Sequence, residues 1–281
     1  MLRPVPSVSD ASVPARAATA VPASAVPASA VTARARDLIT SWNAPVRLEP
    51  LYGPAGSAVY AGLTADDRTE IREITAAARR APGRILELAA GAGRLTLPLL
   101  ALGRQVTAVD SSAGMLALLR DRVPSHWADR LASVHADMTG VVEDSAFGLI
   151  VLGATSITLL DPDRRPALYE AVATGAAEGG RFALTVAEEG APPSAPLLED
   201  PAGPVLTHEN RGDRRLVTIV VPRGTDGVAT VLTSSVTRVD RDTVVAELRA
   251  RGFEPVTETP VRGPDGLATG IVLVEVACPR R

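Results

Sequence analysis

The chain contains no lysine: all 29 of its basic residues are arginine. That removes lysine-based chemistry, a lysine Schiff base included. It has a single cysteine, Cys278, which excludes a disulfide framework and a cysteine-based metal site. Its three histidines, His126, His135 and His208, are too scattered to spell a zinc motif, so no metal is expected. Aromatic residues make up 3% of the chain, and Val, Leu, Ala and Ile must therefore build the core. No apolar run approaches the ~18 residues of a membrane span. With a net charge of -3 and no basic block, electrostatic capture of nucleic acid is not expected either. A cytoplasmic protein with neither a nucleic-acid nor a membrane partner is the expectation.

At 281 residues the chain allows one large domain with a tail or an insertion. Residues 1–35 are rich in Ala, Val, Pro and Ser, with VPASA occurring twice, and read as a disordered or polyproline-like tail. Residues 36–81 read as an N-terminal helical cap. One short helix starts at Ala35, and a clearer one spans Asp66 to Arg80 with Thr64 as its N-cap. The core is expected over 82–189, a β-hairpin insertion over 190–239, and completion of the core over 240–281.

The core is organised around Arg84 to Ser112. Ile85 to Ala89 has the length of a buried strand and runs into Gly91-Ala92-Gly93. Leu95, Leu99 and Leu102 then repeat at helical spacing until Gly103 ends the helix. A second strand, Gln105 to Val109, ends in Asp110. This is a βαβ unit of the kind that holds a nucleoside. Gly91 and Gly93 permit a sharp turn and leave no side chain between backbone and ligand. The helix after them presents free N–H groups, and Asp110 stands where a carboxylate can accept from ribose hydroxyls.

Dinucleotides and S-adenosylmethionine both use this layout. A dinucleotide loop requires a third small residue, but this chain has Thr96 there. Glu87, in the strand, would repel a pyrophosphate and suits a cationic ligand. Leu86-Glu87-Leu88-Ala89-Ala90-Gly91-Ala92-Gly93 resembles the first motif of class I S-adenosylmethionine-dependent methyltransferases. Ser111-Ser112-Ala113-Gly114-Met115-Leu116 is similar to the D-x-S-x-x-M-L signature of the same family. The resemblance implies an α/β fold, a seven-stranded Rossmann-like sheet with an inserted β-hairpin and an N-terminal helical cap.

It also implies roles for particular residues. Glu87, Ala89, Gly91, Gly93, Asp110, Ser111 and Gly153 would surround the cofactor, and Met115 would pack on adenine. Asp137 would accept from the adenine amine, with Met138 flanking the ring. Leu51 to Tyr60 resembles the Y-x(n)-Y segment that folds over the cofactor in small-molecule methyltransferases. On that reading Tyr52 lies at the cofactor and Tyr60 offers a catalytic hydroxyl; the alternative is that both tyrosines pack under the N-terminal helices. His135 reads as structural.

For the acceptor, the loop Gly153-Ala154-Thr155-Ser156-Ile157 follows the fourth strand at its carboxyl end, where open α/β sheets bind ligands. Thr155 and Ser156 are the candidates there, and Glu189 follows the fifth strand. Asp161 to Ala177 reads as a helix capped by Asp161. Leu216 to Pro222 and Val228 to Val239 alternate as an antiparallel hairpin, fit for a substrate cover or a homodimer contact. His208, just before it, is the candidate base.

The whole pattern resembles N,N-dimethyltransferases of small molecules and amino sugars. More narrowly, it resembles enzymes of daptide-type peptide clusters that dimethylate a peptide N-terminal amine. A dinucleotide oxidoreductase and a non-catalytic S-adenosylmethionine-binding partner protein remain as alternatives.

Overall fold

The computed structural model describes residues 19–140, 143, 146–188 and 203–279. In chain order the elements are β1 (Val21–Pro22), α1 (Ala33–Trp42), β2 (Pro45–Pro50), α2 (Pro54–Leu63), α3 (Ile71–Arg80), β3 (Arg84–Leu88), α4 (Thr96–Ala101) and β4 (Val106–Asp110). They continue with α5 (Ala113–Arg122), β5 (Leu131–His135), β6 (Phe147–Leu152), α6 (Arg165–Gly175), β7 (Ala176–Ala187), β8 (Val205–Arg211), β9 (Arg214–Val221) and β10 (Ala229–Thr237). The chain closes with α7 (Arg241–Arg249), β11 (Glu254–Arg262) and β12 (Ala268–Ala277).

Seven strands form one sheet in the order β11-β12-β7-β6-β3-β4-β5. The run from β7 to β5 is parallel, while β12 enters antiparallel to β7 and β11 antiparallel to β12. A parallel sheet covered on both faces needs strands that are apolar on both faces. Phe147 to Leu152 obeys this, with all six residues buried. Leu86, Ile150, Phe182, Val245 and Leu248 belong to the core on one side, and Ile74, Ile85, Leu99, Leu149 and Leu273 to the core on the other. Tyr169 and three phenylalanines are few aromatics for a core, and aliphatic side chains fill the rest. The strand order reverses between β3 and β6, and the ligand crevice of such a sheet opens at that point.

A second, five-stranded sheet has the order β1-β2-β10-β9-β8. The sequence reading of a two-stranded hairpin needs correction here. β8 precedes the expected pair and binds β9 through seven registered residues, Val205 to Arg211. On the other side, β2 runs parallel to β10, from Val46 opposite Ala229 to Pro50 opposite Thr233. A parallel partner so far away in sequence leaves no local turn signal, and Pro45 and Pro50 at the strand ends hid it. The expected helical cap at 36–81 therefore contains a strand, and residues 21–31, expected in the tail, pack into the second sheet instead. Val26 and Val31 are buried with Ala35, Ile39, Val46, Val220 and Val231. Residues 1–18 of that tail lie outside the described residues.

Three further local expectations change. The helix expected from Asp66 starts at Ile71, because Glu70 takes a left-handed conformation with φ 61° and makes a turn of the residues before it. Thr64 ends α2 rather than capping α3. Asp161 does not cap α6: its carboxylate accepts from Arg214 at 2.7 Å and Thr237 at 2.9 Å, fastening the second sheet to the first.

Candidate active site

The carboxyl ends of β3, β4, β6 and β7 and the inner face of the second sheet enclose a cleft of about 1240 Å³. Its floor is the turn after β3. Ala89 (φ 52°), Gly91 (φ 56°) and Gly93 (φ 88°) are all left-handed. At Gly93 a Cβ would lie 2.4 Å from Leu119 Cδ1, so α5 packs where a side chain would be. At Gly91 a Cβ would meet nothing within 4 Å, because that face opens to the cleft. One glycine thus admits a neighbour, and the other leaves room for a ligand.

Asp110 closes this turn. Its two oxygens accept from Gly91 N and Ser112 N, both at 2.8 Å. Burial pushes its carboxyl up, and the two amide bonds oppose that shift. Glu87 is deeper, 2% exposed, and accepts from the Thr96 hydroxyl at 2.6 Å. Burial dominates over that bond and over nearby Arg94, and pushes the Glu87 carboxyl up to about 8. In the free protein Glu87 is thus a neutral acid at neutral pH, which sequence reading had treated as a standing negative charge.

Ser112 caps α5 by accepting from Met115 N at 3.3 Å, and Met115 is buried at the cleft wall. Ser111 also lines the cleft, and its carbonyl contacts His135 Nε2 at 3.0 Å, consistent with a structural part for His135. Asp137 is more occupied than its expected part implies. It accepts from Thr139 N at 2.8 Å, from the Thr139 hydroxyl at 2.6 Å and from Arg164 at 2.8 Å. These bonds outweigh desolvation and hold its carboxyl low. Met138 beside it is half-buried against the core and faces the cleft.

The loop after β6 is tightly determined. A Cβ on Gly153 would stand 2.2 Å from Leu95 Cδ1 and 3.0 Å from Glu70 Oε1. Ala154 and Thr155 follow with φ 54° and 51°, strained values for residues with a Cβ. Their amides are held by Glu70 Oε1 at 2.7 Å and by Thr185 Oγ1 at 3.1 Å. Thr155 and Ser156 both line the cleft. Glu189 lies outside the described residues; its neighbour Glu188 is exposed at the cleft edge.

Two residues that sequence reading missed support that loop. Glu70, 1% exposed, bonds Arg94, and Arg94 also donates to the Thr69 carbonyl at 2.7 Å. The signal in sequence was a single arginine directly after the glycine loop. Its acid partner lies 24 positions away on a turn.

The segment Leu51 to Tyr60 contains α2, which was not expected as a helix. Gly56 lets the helix start tightly, since a Cβ there would collide with the Leu51 carbonyl at 2.1 Å. Ser57 donates to the Gly53 carbonyl at 2.9 Å and lies 3.4 Å from the Ser112 hydroxyl, tying α2 to the start of α5. Tyr52 and Tyr60 meet edge to face with centroids 5.4 Å apart and line the cleft. Tyr52 stands 36% exposed at the cleft rim and Tyr60 is half-buried, and desolvation by the surrounding protein pushes both phenols up. Tyr60, itself on α2, also packs with Leu63 against Leu51 and against Leu206 and Leu232 of the second sheet, so it is a wall residue of the cleft rather than a tyrosine packed under the N-terminal helices.

His208, on β8, faces the cleft, and neither ring nitrogen has a hydrogen-bond partner among the described residues. Burial, then the charge of Arg215, lowers its pKa to about 4. It is therefore a neutral imidazole with one unpartnered acceptor nitrogen and one unpartnered N–H, and too weakly basic for the part of base that the sequence suggested. Tyr52, Tyr60, Glu87, Ala89, Gly91, Asp110, Ser111, Met115, Asp137, Met138, Gly153, Thr155, Ser156 and His208 all line this one cleft. Gly93 does not: it lies behind the turn, against Leu119.

Comparison with known proteins agrees with the fold. The family described as "Methyltransferase domain" matches residues 85–180. The crystal structure of the glycopeptide N-methyltransferase MtfA is 32% identical, covering 88% of this chain and 99% of that one, with a TM-score of 0.61. The same protein complexed with S-adenosyl-L-homocysteine superposes with a TM-score of 0.62 at 29% identity, over 88% of this chain and 98% of that one. The CcbJ methyltransferase from Streptomyces caelestis shares the fold at 16% identity, over 82% of this chain and 99% of that one, with a TM-score of 0.62. No protein of curated function matches the sequence.

Proposed function

Since the chain belongs to the class I S-adenosylmethionine-dependent methyltransferases, we propose that it is an N-methyltransferase acting on the terminal amine of a ribosomally made peptide, as a daptide-type enzyme. When bound, S-adenosylmethionine supplies a sulfonium methyl group to an amine that has already lost its proton. The observation that carries the nitrogen reading is His208: a neutral imidazole with two unpartnered nitrogens, facing the cleft from the inserted sheet. Such a group can accept a hydrogen bond from the neutral amine and so orient it towards the methyl donor; with a pKa near 4 it positions the amine and does not hold an ammonium's proton.

The other residues bind and position. The open face at Gly91 fits a nucleoside approaching the backbone, and the Asp110 oxygens keep lone pairs for ribose hydroxyls beyond their two amide bonds. Glu87 offers a carboxyl that can ionise beside a cationic ligand. Tyr60 on α2 and Tyr52 just before it close one side of the cleft. The Tyr60 hydroxyl, Thr155 and Ser156 orient the acceptor in a cleft where catalysis is chiefly positioning and desolvation. The relative MtfA, named a glycopeptide N-methyltransferase, supports a peptide-like acceptor. Among the described residues no helix is long and apolar enough to cross a membrane.

Incubating the protein with S-adenosylmethionine and amine-bearing peptides, amino sugars and small amines tests this. One or two methyl increments, localised to nitrogen by fragmentation and lost in His208→Gln, are expected for a peptide. Methylation of oxygen or carbon, or of amino sugars in preference to every peptide, would refute it.

A further inference from the structure

The roof of the cleft carries charge that the protein itself does not neutralise. Three of the arginines that line it are paired with carboxylates. Arg164 engages Asp137 at 2.8 Å, Arg165 engages Glu247 at 2.7 Å, and Arg94 engages Glu70. On the second sheet, Arg211 bonds Glu209 at 2.6 Å and the Val31 carbonyl at 2.9 Å. Arg214 bonds Asp161 at 2.7 Å and the Ser235 carbonyl at 2.9 Å. Arg215 follows it immediately in β9 and so points to the opposite face, into the cleft. It donates through Nε to Asn210 Oδ1 at 3.0 Å, and no carboxylate engages it among the described residues. Its charged neighbour is instead Arg238, which also lines the cleft and bonds the Gly212 carbonyl at 2.9 Å. Burial and that like charge together lower the pKa of the half-buried Arg215.

Two neighbouring guanidiniums that no carboxylate engages among the described residues are unfavourable in a free protein and favourable once an anion joins them. The surroundings define that anion further. Asn210 and Arg215 sit opposite each other, and His208 sits opposite Val217, on neighbouring strands. The same face continues through Leu206, Val217 and Ile219, which line the cleft. A cation, an unpartnered imidazole and an apolar strip thus lie side by side on the roof. The glycine loop lies elsewhere, at the end of β3.

We propose that Arg215 and Arg238 form an anion subsite of the acceptor pocket, and that the methyl acceptor carries a carboxylate and an apolar side chain in addition to its amine. The arginine fork matches a planar carboxylate through two parallel N–H bonds. The apolar strip takes the side chain, and the amine extends towards the methyl donor past His208. The inference rests on the amine reading above for the word acceptor. Its test is independent of turnover.

The full chain, saturated with S-adenosylhomocysteine, is titrated with N-acetyl-phenylalanine and, separately, with its carboxamide. The ring C–H resonances of the three histidines are followed by NMR. The acid is expected to shift the His208 resonance saturably, while His126 and His135 stay in place. The carboxamide should bind about 10- to 100-fold more weakly, the range for losing a hydrogen bond to a charged group. Arg215→Gln should erase the preference and Arg215→Lys restore part of it, with S-adenosylhomocysteine affinity unchanged in both. An acid that leaves His208 unmoved, an equal response to acid and carboxamide, or a preference that survives Arg215→Gln would overturn the subsite. Failure of S-adenosylhomocysteine to bind at all would instead strike the cofactor assignment.

Discussion

Replacing Glu87 by Gln should make the cofactor-free protein more stable, by an amount that depends on pH. Glu87 is 2% exposed, and its carboxyl is pushed from 4.5 to about 8 by burial. Between those values the folded protein holds a proton that the unfolded chain has released, so stability falls as pH rises through this window. The slope is ~1.4 kcal/mol per pH unit, which gives ~3 kcal/mol at pH 7 and at most ~5 kcal/mol at pH 8. Gln cannot titrate, has the same shape as the neutral acid, and keeps a carbonyl for the Thr96 hydroxyl that now donates at 2.6 Å. Urea unfolding of both proteins without cofactor, at several values between pH 4.5 and 8, checks this. The two stabilities should coincide at the acid end and separate steadily above it. A separation that stays constant with pH, or a Gln variant less stable at pH 7, would refute a neutral buried Glu87. The same proton predicts that S-adenosylmethionine binds the native protein more tightly as pH approaches 8, since a cationic ligand draws Glu87 into its charged form, and that the Gln variant binds weakly with no such trend.

Asp110→Ala removes the acceptor for the Gly91 and Ser112 amides. Calorimetry should find S-adenosylhomocysteine affinity lowered about 10- to 100-fold, and unchanged affinity would place the ribose elsewhere. Gly153→Ala puts a methyl group 2.2 Å from Leu95 Cδ1 and 3.0 Å from Glu70 Oε1. Overpacking of this kind costs ~1–3 kcal/mol, read as a lower denaturation midpoint. For His208, whose pKa falls from 6.5 to about 4 on burial, the unfolded chain binds the extra proton between those values. Stability is therefore lost as pH drops through that window, and His208→Gln should flatten that part of the stability curve.

The seven-stranded sheet was legible because each of its strands carries its own signal. Ile85 to Ala89 and Phe147 to Leu152 are continuous apolar runs, and each turn between them holds a glycine at the required place. Asp110 and Gly153 were legible for the same reason: a strand end fixes them. What could not be read depends on partners distant in sequence. β2 takes its hydrogen bonds from β10, and its six residues have no alternation of their own. Glu70 acts through a turn conformation that an acidic side chain does not announce, and Arg215 differs from Arg214 only in the face of the strand it occupies. The protonation of Glu87 required knowing how deeply the strand is buried, which composition does not give.

The parallel pairing of β2 with β10 bears on how this protein behaves when it is cut or incompletely folded. Thr32 bonds Thr218 across 186 positions, and Leu51 N bonds the Thr233 carbonyl at 2.9 Å. Until β2 docks, β10 presents a bare row of amides and carbonyls beside Val231 and Leu232. That is an exposed sheet edge, open to any other extended chain. Proteolysis within β2, or its removal, would therefore open the roof of the cleft to self-association, and β2 covers that edge as well as completing the second sheet.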